Sequence, residues 1–571
     1  MKKISVILFL FFIAISALPQ KEVRFFTNND SSFTTKKFLD SISLIKYLEE
    51  KLQNDFSNGF LYANYKFINT WGKDTPSILY NKENKVFLKS ISAGNADKLL
   101  LEEIGYKKND LNLSALSPTK IYKWQKNIVE FYENNGHPFA SVAFKIDSIY
   151  KDTVCASWEI KKGPKIFFDS IVYKGKYKPN KKFISRWLSI ENRKIYDERK
   201  IELCKRRLAS STIIEQEIPM QVHFTEGKAK IFLFLKKKKS NQFDGILGFT
   251  TDKNNPEKIV FNGDINLNLS NSFNHGDIIA LKWKSSAEKS QEINAKFAIP
   301  YVFGFPLGFN IMLDIYKRDT LYIKTNQHYG LTFFSGISTE FEFFAERNDC
   351  RVIDKNIFIS SSTRPRFIDS RSSKGGIRVF VPKIDDFIVP HKGFIFETKM
   401  SVGKKKIIKN SSADASIYEG MSLNSTIYEG IAEISYFQQI IKALHVMGRT
   451  NFFTIESSDL FENDMALIGG LQKLRGFDEK SIYAKNFSIS TLELRFFFEK
   501  HSYLSLFSDY GIVKQSINNN FRNKYYLSTG AGLSFETRAG IFNIFYALGK
   551  ENPGKFNIKN GKIHFGLITR F

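Results

Sequence analysis

The chain is 571 residues long, too long for one ordinary domain and long enough for two to four. It carries 84 Lys and Arg against 58 Asp and Glu, a net charge of +26, and 15% of its residues are aromatic, with 56 phenylalanines. Its three cysteines, Cys155, Cys204 and Cys350, are far apart and odd in number, which excludes a disulfide framework and leaves room for one bridge at most.

The first 19 residues read as a secretory signal peptide. Lys2 and Lys3 precede an apolar run from Ile4 to Ile15, and Ser16-Ala17 offers a small-residue cleavage point. An uncleaved anchor is the alternative. No later segment has the roughly 18 consecutive apolar residues a membrane helix needs. The eight histidines are scattered, so neither a metal site nor a cofactor is expected. The export signal, the spread of the basic residues and the lack of a binding motif argue against nucleic acid as the partner of the positive charge. Outer-membrane lipids and lipopolysaccharide phosphates suit it better. A generally lysine-rich composition explains it as well.

From residue 20 to residue 239, helix and strand patterns mix, and the pattern repeats. "NGFLYANYKF" (Asn58 to Phe67) parallels "NGHPFASVAF" (Asn135 to Phe144), and "KVFLKSI" (Lys85 to Ile91) parallels "KIFFDSI" (Lys165 to Ile171). An amphipathic helix precedes each Asn-Gly, the first expected over Lys36 to Asn54. The second is "TKIYKWQKNIVEFYENNG", with Ile121, Trp124, Ile128 and Phe131 at helical spacing. A third helix, "YDERKIELCKRRLASS", leads into two strands but lacks the glycine. Each unit thus reads helix, glycine turn, strand, strand, with units over 20–92, 93–165 and 166–239. They resemble POTRA domains. Such units suit a rigid arm whose sheet edges bind extended clients, or plain spacers.

From residue 240 to residue 571 the chain is almost all strand-like. "GKIHFGLITRF" places Ile563, Phe565, Leu567, Thr569 and Phe571 on one face, and Lys562, His564, Gly566, Ile568 and Arg570 on the other. "TLELRFFF" sends Leu492, Leu494, Phe496 and Phe498 one way and Glu493 and Arg495 the other. "YLSLFSDYGIV" separates Leu504, Leu506, Tyr510 and Ile512 from Phe507, Asp509 and Gly511. Alternation with long polar connections and a terminal aromatic fits a transmembrane barrel better than a soluble sandwich. About 330 residues at about 21 per strand and turn give roughly 16 strands. The fold class is therefore α+β repeats followed by a transmembrane antiparallel β-barrel.

"LIGGLQKLRGF" (Leu467 to Phe477) lies between strands eleven and twelve of such a barrel. Together with "ELRFFF", "LFSDYG", "GAGLSFET" and the terminal aromatic, it resembles the BamA/TamA superfamily over essentially the whole mature chain. Three arm units with 16 strands most resemble the TamA branch. The resemblance implies a loop folded into the lumen, where Arg475 pairs with Asp509 and Glu493 contributes. Both acids fall on the lumen parity. Gly469 and Gly470 let the loop bend back, Gly476 lets the backbone turn at the arginine, and Leu474 and Phe477 flank it. Phe507 and Gly511 belong to the paired Phe-x-Asp-x-Gly motif on the wall.

The resemblance also implies a weak seam between first and last strands, where Gly566 removes a side chain near the terminal Phe571. Unfolded outer-membrane or exported client proteins would be its substrates, with no catalytic residues. A TamB-like periplasm-spanning partner is implied by the branch. The alternatives are a two-partner secretion translocator with one dedicated substrate, a passive pore, and an outer-membrane enzyme such as a lipase. Residues 18–35 are short for a plug helix and linker, a pore has no need of arm units, and no Ser/His/acid motif is evident.

Overall fold

A computed structural model describes residues 21–27, 30–69, 75–97, 100, 102, 114–252, 255–285, 290–302, 305–336, 338–354, 356–359, 364–517, 520–537 and 540–568. The signal-peptide segment and Phe571 lie outside them. One compact unit runs to Ser170 and includes Asn192–Arg199 and Phe224–Lys230. The other holds Ile171–Glu191, Lys200–His223 and everything from Ile231 onward.

The first sheet has the order β2-β1-β4-β3, from β1 (Lys21–Thr27), β2 (Asp30–Phe38), β3 (Asn64–Asn69) and β4 (Ser77–Asn81). Helix α1 (Ser41–Ser57) packs Leu44 and Leu48 against Val23, Phe25, Ile78 and Tyr80. The helix begins later than the hydrophobic pattern suggests. Asp40 stops it: its carboxylate accepts from the Ser43 amide at 2.8 Å while the Ser43 hydroxyl accepts from the Asp40 amide at 3.2 Å. The preceding Lys36–Phe38 belongs to β2, so each unit begins with a strand that the helix-first reading omitted.

The second sheet, β6-β5-β8-β7, uses β5 (Phe87–Ser92), β6 (Ser114–Ala115), β7 (Ser141–Tyr150) and β8 (Thr153–Lys161), with α2 (Pro118–Asn134) against it. Because β5 pairs with β8, the segment 87–92 belongs to this unit and not to the first. The third sheet, β10-β11-β9, comprises β9 (Phe167–Lys174), β10 (Ile214–Thr225) and β11 (Lys228–Lys237), with α3 (Lys181–Leu188) and α4 (Glu198–Ser210).

The repeated Asn-Gly now has a cause. Gly59 and Gly136 follow α1 and α2 at φ of 93° and 96°. Their carbonyls accept the amides of Val86 and Ile166, which open the next unit, at 2.9 and 2.8 Å. The third unit makes this turn without glycine, because Ser211 Oγ accepts from the amides of Ile213 and Ile214.

The barrel is a 16-stranded antiparallel sheet. In order its strands are β12 (Gln242–Asp252), β13 (Asn255–Ser270), β14 (Ile278–Ser285), β15 (Gln291–Ile299), β16 (Leu307–Arg318), β17 (Tyr322–Ser335), β18 (Thr339–Val352) and β19 (Ser370–Ile384). They continue as β20 (Gly393–Ile407), β21 (Asn424–Gln439) and β22 (Leu444–Ser457). A small hairpin, β23 (Ala466–Ile468) with β24 (Ile482–Ala484), sits within a connection. The sheet resumes with β25 (Asn486–Phe497), β26 (Tyr503–Ile517), β27 (Asn520–Thr537), β28 (Gly540–Glu551) and β29 (Lys562–Ile568).

Outward side chains such as Phe341, Phe343, Leu492, Leu494, Leu504 and Leu506 are exposed, and inward ones are polar or buried. So continuous an apolar belt is a surface for lipid. No helix among the described residues is long and apolar enough to cross a membrane. The near rim is the one that meets the third α/β unit, and the connections 408–423 and 458–485, with the described part of 353–369, start from the far rim.

Gly136→Ala tests the turn. A Cβ there would sit 2.7 Å from the Ile195 methyl, on a backbone that disfavours L side chains by about 1–2 kcal/mol. Limited proteolysis of the full-length protein in detergent should cut faster around residues 118–166 and leave the barrel intact. An unchanged rate contradicts this.

Candidate functional site: the docked loop

The connection from β22 to β25 spans 458–485 and turns back over the inner wall. Gly469, Gly470 and Gly476 have φ of 112°, 91° and 81°. Side chains disfavour this region, and space forbids them as well: a Cβ on Gly476 would lie 2.7 Å from the Gly549 amide nitrogen. Leu474 is fully buried among Phe453, Ile468, Ile489 and Val513, which anchors the tip by about 1.5–3 kcal/mol.

Arg475 follows, 3% exposed. Its Nε donates to Asp509 Oδ2 at 2.9 Å and its Nη2 to Asp509 Oδ1 at 2.6 Å, a bidentate fork. Its Nη1 donates to Glu493 Oε2 at 2.9 Å. The Arg475 amide also donates to Asp509, at 3.2 Å. Thr491 and Ser528 hydroxyls complete the shell of Asp509, and Arg495 Nε holds the other oxygen of Glu493 at 2.9 Å. Below the guanidinium lies the Phe507 ring, its centroid 3.4 Å from Cζ. The Arg475 guanidinium and both carboxylates are thus hydrogen-bonded, which burying charge demands.

The loop also crosses the last strands. Phe477 meets Tyr526 of β27 edge-on at 5.2 Å, and its ring closes over Gly549 of β28, where a Cβ would be 2.7 Å away. On β29, His564 Nε2 accepts from the Gly476 amide at 3.2 Å, and a Cβ on Gly566 would meet the Leu471 methyl at 3.4 Å. One short turn therefore touches β25 to β29 in succession. Gly511, on β26, faces the Leu474 methyl. The structure thus brings Gly469, Gly470, Leu474, Arg475, Gly476 and Phe477 against Glu493, Phe507, Asp509, Gly511 and Gly566. Phe571 lies outside the described residues.

Sequence reasoning passed over Thr491, Ser528, Phe545, Gly549 and the bond to His564. Lumen parity alone marks Gly549, a glycine where a wall side chain is expected. It also passed over the near rim. There Arg207 of α4 donates to the Gly336 carbonyl in the β17–β18 turn at 3.1 Å. Arg186 of α3 donates to the Tyr301 carbonyl at 3.3 Å in the β15–β16 turn, and Phe183 packs edge-on to the Tyr301 ring.

Residues 266–571 match the Omp85 superfamily domain. The chain belongs to the Omp85 superfamily. Barrel proteins of this family sit in the outer membrane. No curated protein sequence matches the chain. Among solved structures it is similar to CdiB from Acinetobacter baumannii at a TM-score of 0.53 and 13% identity, covering 92% of this chain and 97% of that one. CdiB from Escherichia coli gives 0.50 and 12%, with the same coverage. BamA from Haemophilus ducreyi lacking POTRA domains 1–3 gives 0.46 and 14%, covering 84% of this chain and all of that one. At these identities the likeness is one of fold, and it spans the α+β repeats as well as the Omp85 barrel.

Arg475→Ala leaves the buried Asp509 carboxylate without its cation and Glu493 with Arg495 alone, and should destabilise the barrel by about 3–5 kcal/mol. A double-mutant cycle with Asp509→Ala, read by unfolding of the full chain in detergent, should give a coupling of about 1–3 kcal/mol. Arg475→Lys should not restore it, because an ammonium lacks the planar fork. Additive single effects contradict the pairing.

Proposed function

We propose that this Omp85 protein inserts or exports client proteins at the bacterial outer membrane. The α/β units face the periplasm, and the far rim of the barrel faces outward. The observation that carries this reading is the end of the sheet. Its strands are joined pairwise from β12 to β29, yet no register among the described residues joins β29 back to β12, although the two approach within 8 Å. An unpaired strand in a bilayer is costly, because lipid has no partner for its backbone groups. It is also a template for an incoming strand. The docked loop stiffens this edge from inside, and no covalent step is involved, so no catalytic residue is assigned.

The arm supports client guidance. It offers three small sheets with open edges, among them β2 and β3 of the first. Residues 21–27 and 30–38 are strands of that sheet, which speaks against a plug helix there and favours a general assembly factor over a dedicated two-partner translocator. The folded-in loop speaks against a passive pore. Three arm units favour the TamA branch, and with it a TamB-like partner that spans the periplasm.

Quantitative proteomics of the outer membrane after depletion of the protein tests the proposal. Several barrel proteins should fall together. Loss of one exported protein, with the barrels intact, assigns the chain to dedicated secretion instead.

A further inference from the structure

Among the described residues, three neighbouring strands carry a cluster of cations on the outward face of the barrel. On β18, side chains of odd number point outward, and Phe341 and Phe343 give way toward the far rim to Arg347, Asp349 and Arg351. On β19 the outward series is Arg371, Ser373, Gly375 and Ile377, read down from the same rim. On β20 it rises through Met400 and Val402 to Lys404 and Lys406. The register sets these residues side by side. Arg347 pairs with Ser373 and Ser373 with Lys404, while Asp349 pairs with Arg371 and Arg371 with Lys406. Five cations thus share about 10 Å of sheet width with one acid.

The flanking strands are neutral at the same height. Gln327 and Thr325 stand beside Arg347 and Asp349, and Thr426 and Asn424 stand beside Lys404 and Lys406. The acid itself is committed. Asp349 holds Arg347 Nε at 3.0 Å and also pairs with Arg371, so it sets two guanidiniums next to each other. Arg351, Lys404 and Lys406 are exposed and have no acidic partner among the described residues. Directly below the cations lie Phe343, Ile377, Met400 and Val402, between 48% and 59% exposed.

We propose that this patch binds the phosphate groups of an outer-leaflet glycolipid such as lipopolysaccharide. The charge calls for an anion, and paired arginine forks with mobile lysines suit phosphate oxygens. The apolar row beneath calls for acyl chains on the same ligand, which a free anion lacks. The position at the upper edge of the lipid belt is where a headgroup sits. This inference rests on the orientation proposed above, with the far rim outward. Lipid bound there would fix the level of the barrel in the outer leaflet on the side away from the β12–β29 edge.

The test uses the full-length protein in detergent and bis-phosphorylated lipid A, with bound lipid read by native mass spectrometry. Lys404→Gln/Lys406→Gln removes two cations that make no internal ion pair, so folding should survive. Affinity should fall roughly tenfold or more. Dephosphorylated lipid A should bind the wild type as weakly as lipid A binds the variant. Equal affinity of variant and wild type overturns the proposal, and so does tight binding of the dephosphorylated lipid. Displacement of lipid A by an equal concentration of inorganic phosphate overturns it too, by making the patch a free-anion site. The measurement involves neither clients nor membrane orientation, so failed client assembly in cells and failed lipid binding here are separate results.

Discussion

The barrel is organised around one buried cation. Arg475 brings its charge into the lumen wall and meets two buried carboxylates, Asp509, for which it is the paired cation, and Glu493, which it shares with Arg495. A buried ion pair of this kind adds modest net stability compared with an apolar packing of equal volume. Its value lies in direction. The fork of the guanidinium accepts one placement of the Asp509 carboxylate, and that placement fixes the whole turn from Gly469 to Phe477. Glycine is required at the turn because the backbone lies against Gly549, leaving no space for a Cβ on either chain.

Two groups of strands are braced by different parts of the chain. At the near rim, α3 and α4 hold the turns that join β15 to β16 and β17 to β18. Inside the lumen, the loop holds β25 to β29. The same loop also reaches strands on the other side of the β12–β29 junction, where Lys480 pairs with Glu292 of β15 and its carbonyl accepts from Arg318 of β16 at 3.0 Å.

Much of this was legible in the sequence because a membrane strand has two unlike faces. Lipid selects apolar residues on alternate positions, so Leu492, Leu494, Leu504 and Leu506 declare their side without a structure. The spacing of those runs also indicated the strand count. The Arg475–Asp509 contact was legible through the resemblance of two short motifs to a known family, with Asp509 on the lumen parity of its strand. The first unit was less so. Its helix starts at Ser41, since Asp40 caps it, whereas the hydrophobic period extends back into β2. Residues 87–92 read as the end of one unit but open the next, because strand order in a sheet is set by tertiary pairing. Register is the other hidden variable. Neither His564 under the Gly476 amide nor the alignment of Arg371 with Lys406 follows from either strand alone.

Arg475 holds the loop inside the lumen, where the loop stands in the way of ions. Single-channel conductance of the purified full-length protein in planar bilayers, compared with Arg475→Ala, tests this most directly. The account predicts small, fluctuating conductance for the wild type and a larger, steadier one for the variant. Large, steady conductance in the wild type, unchanged by the substitution, would contradict it.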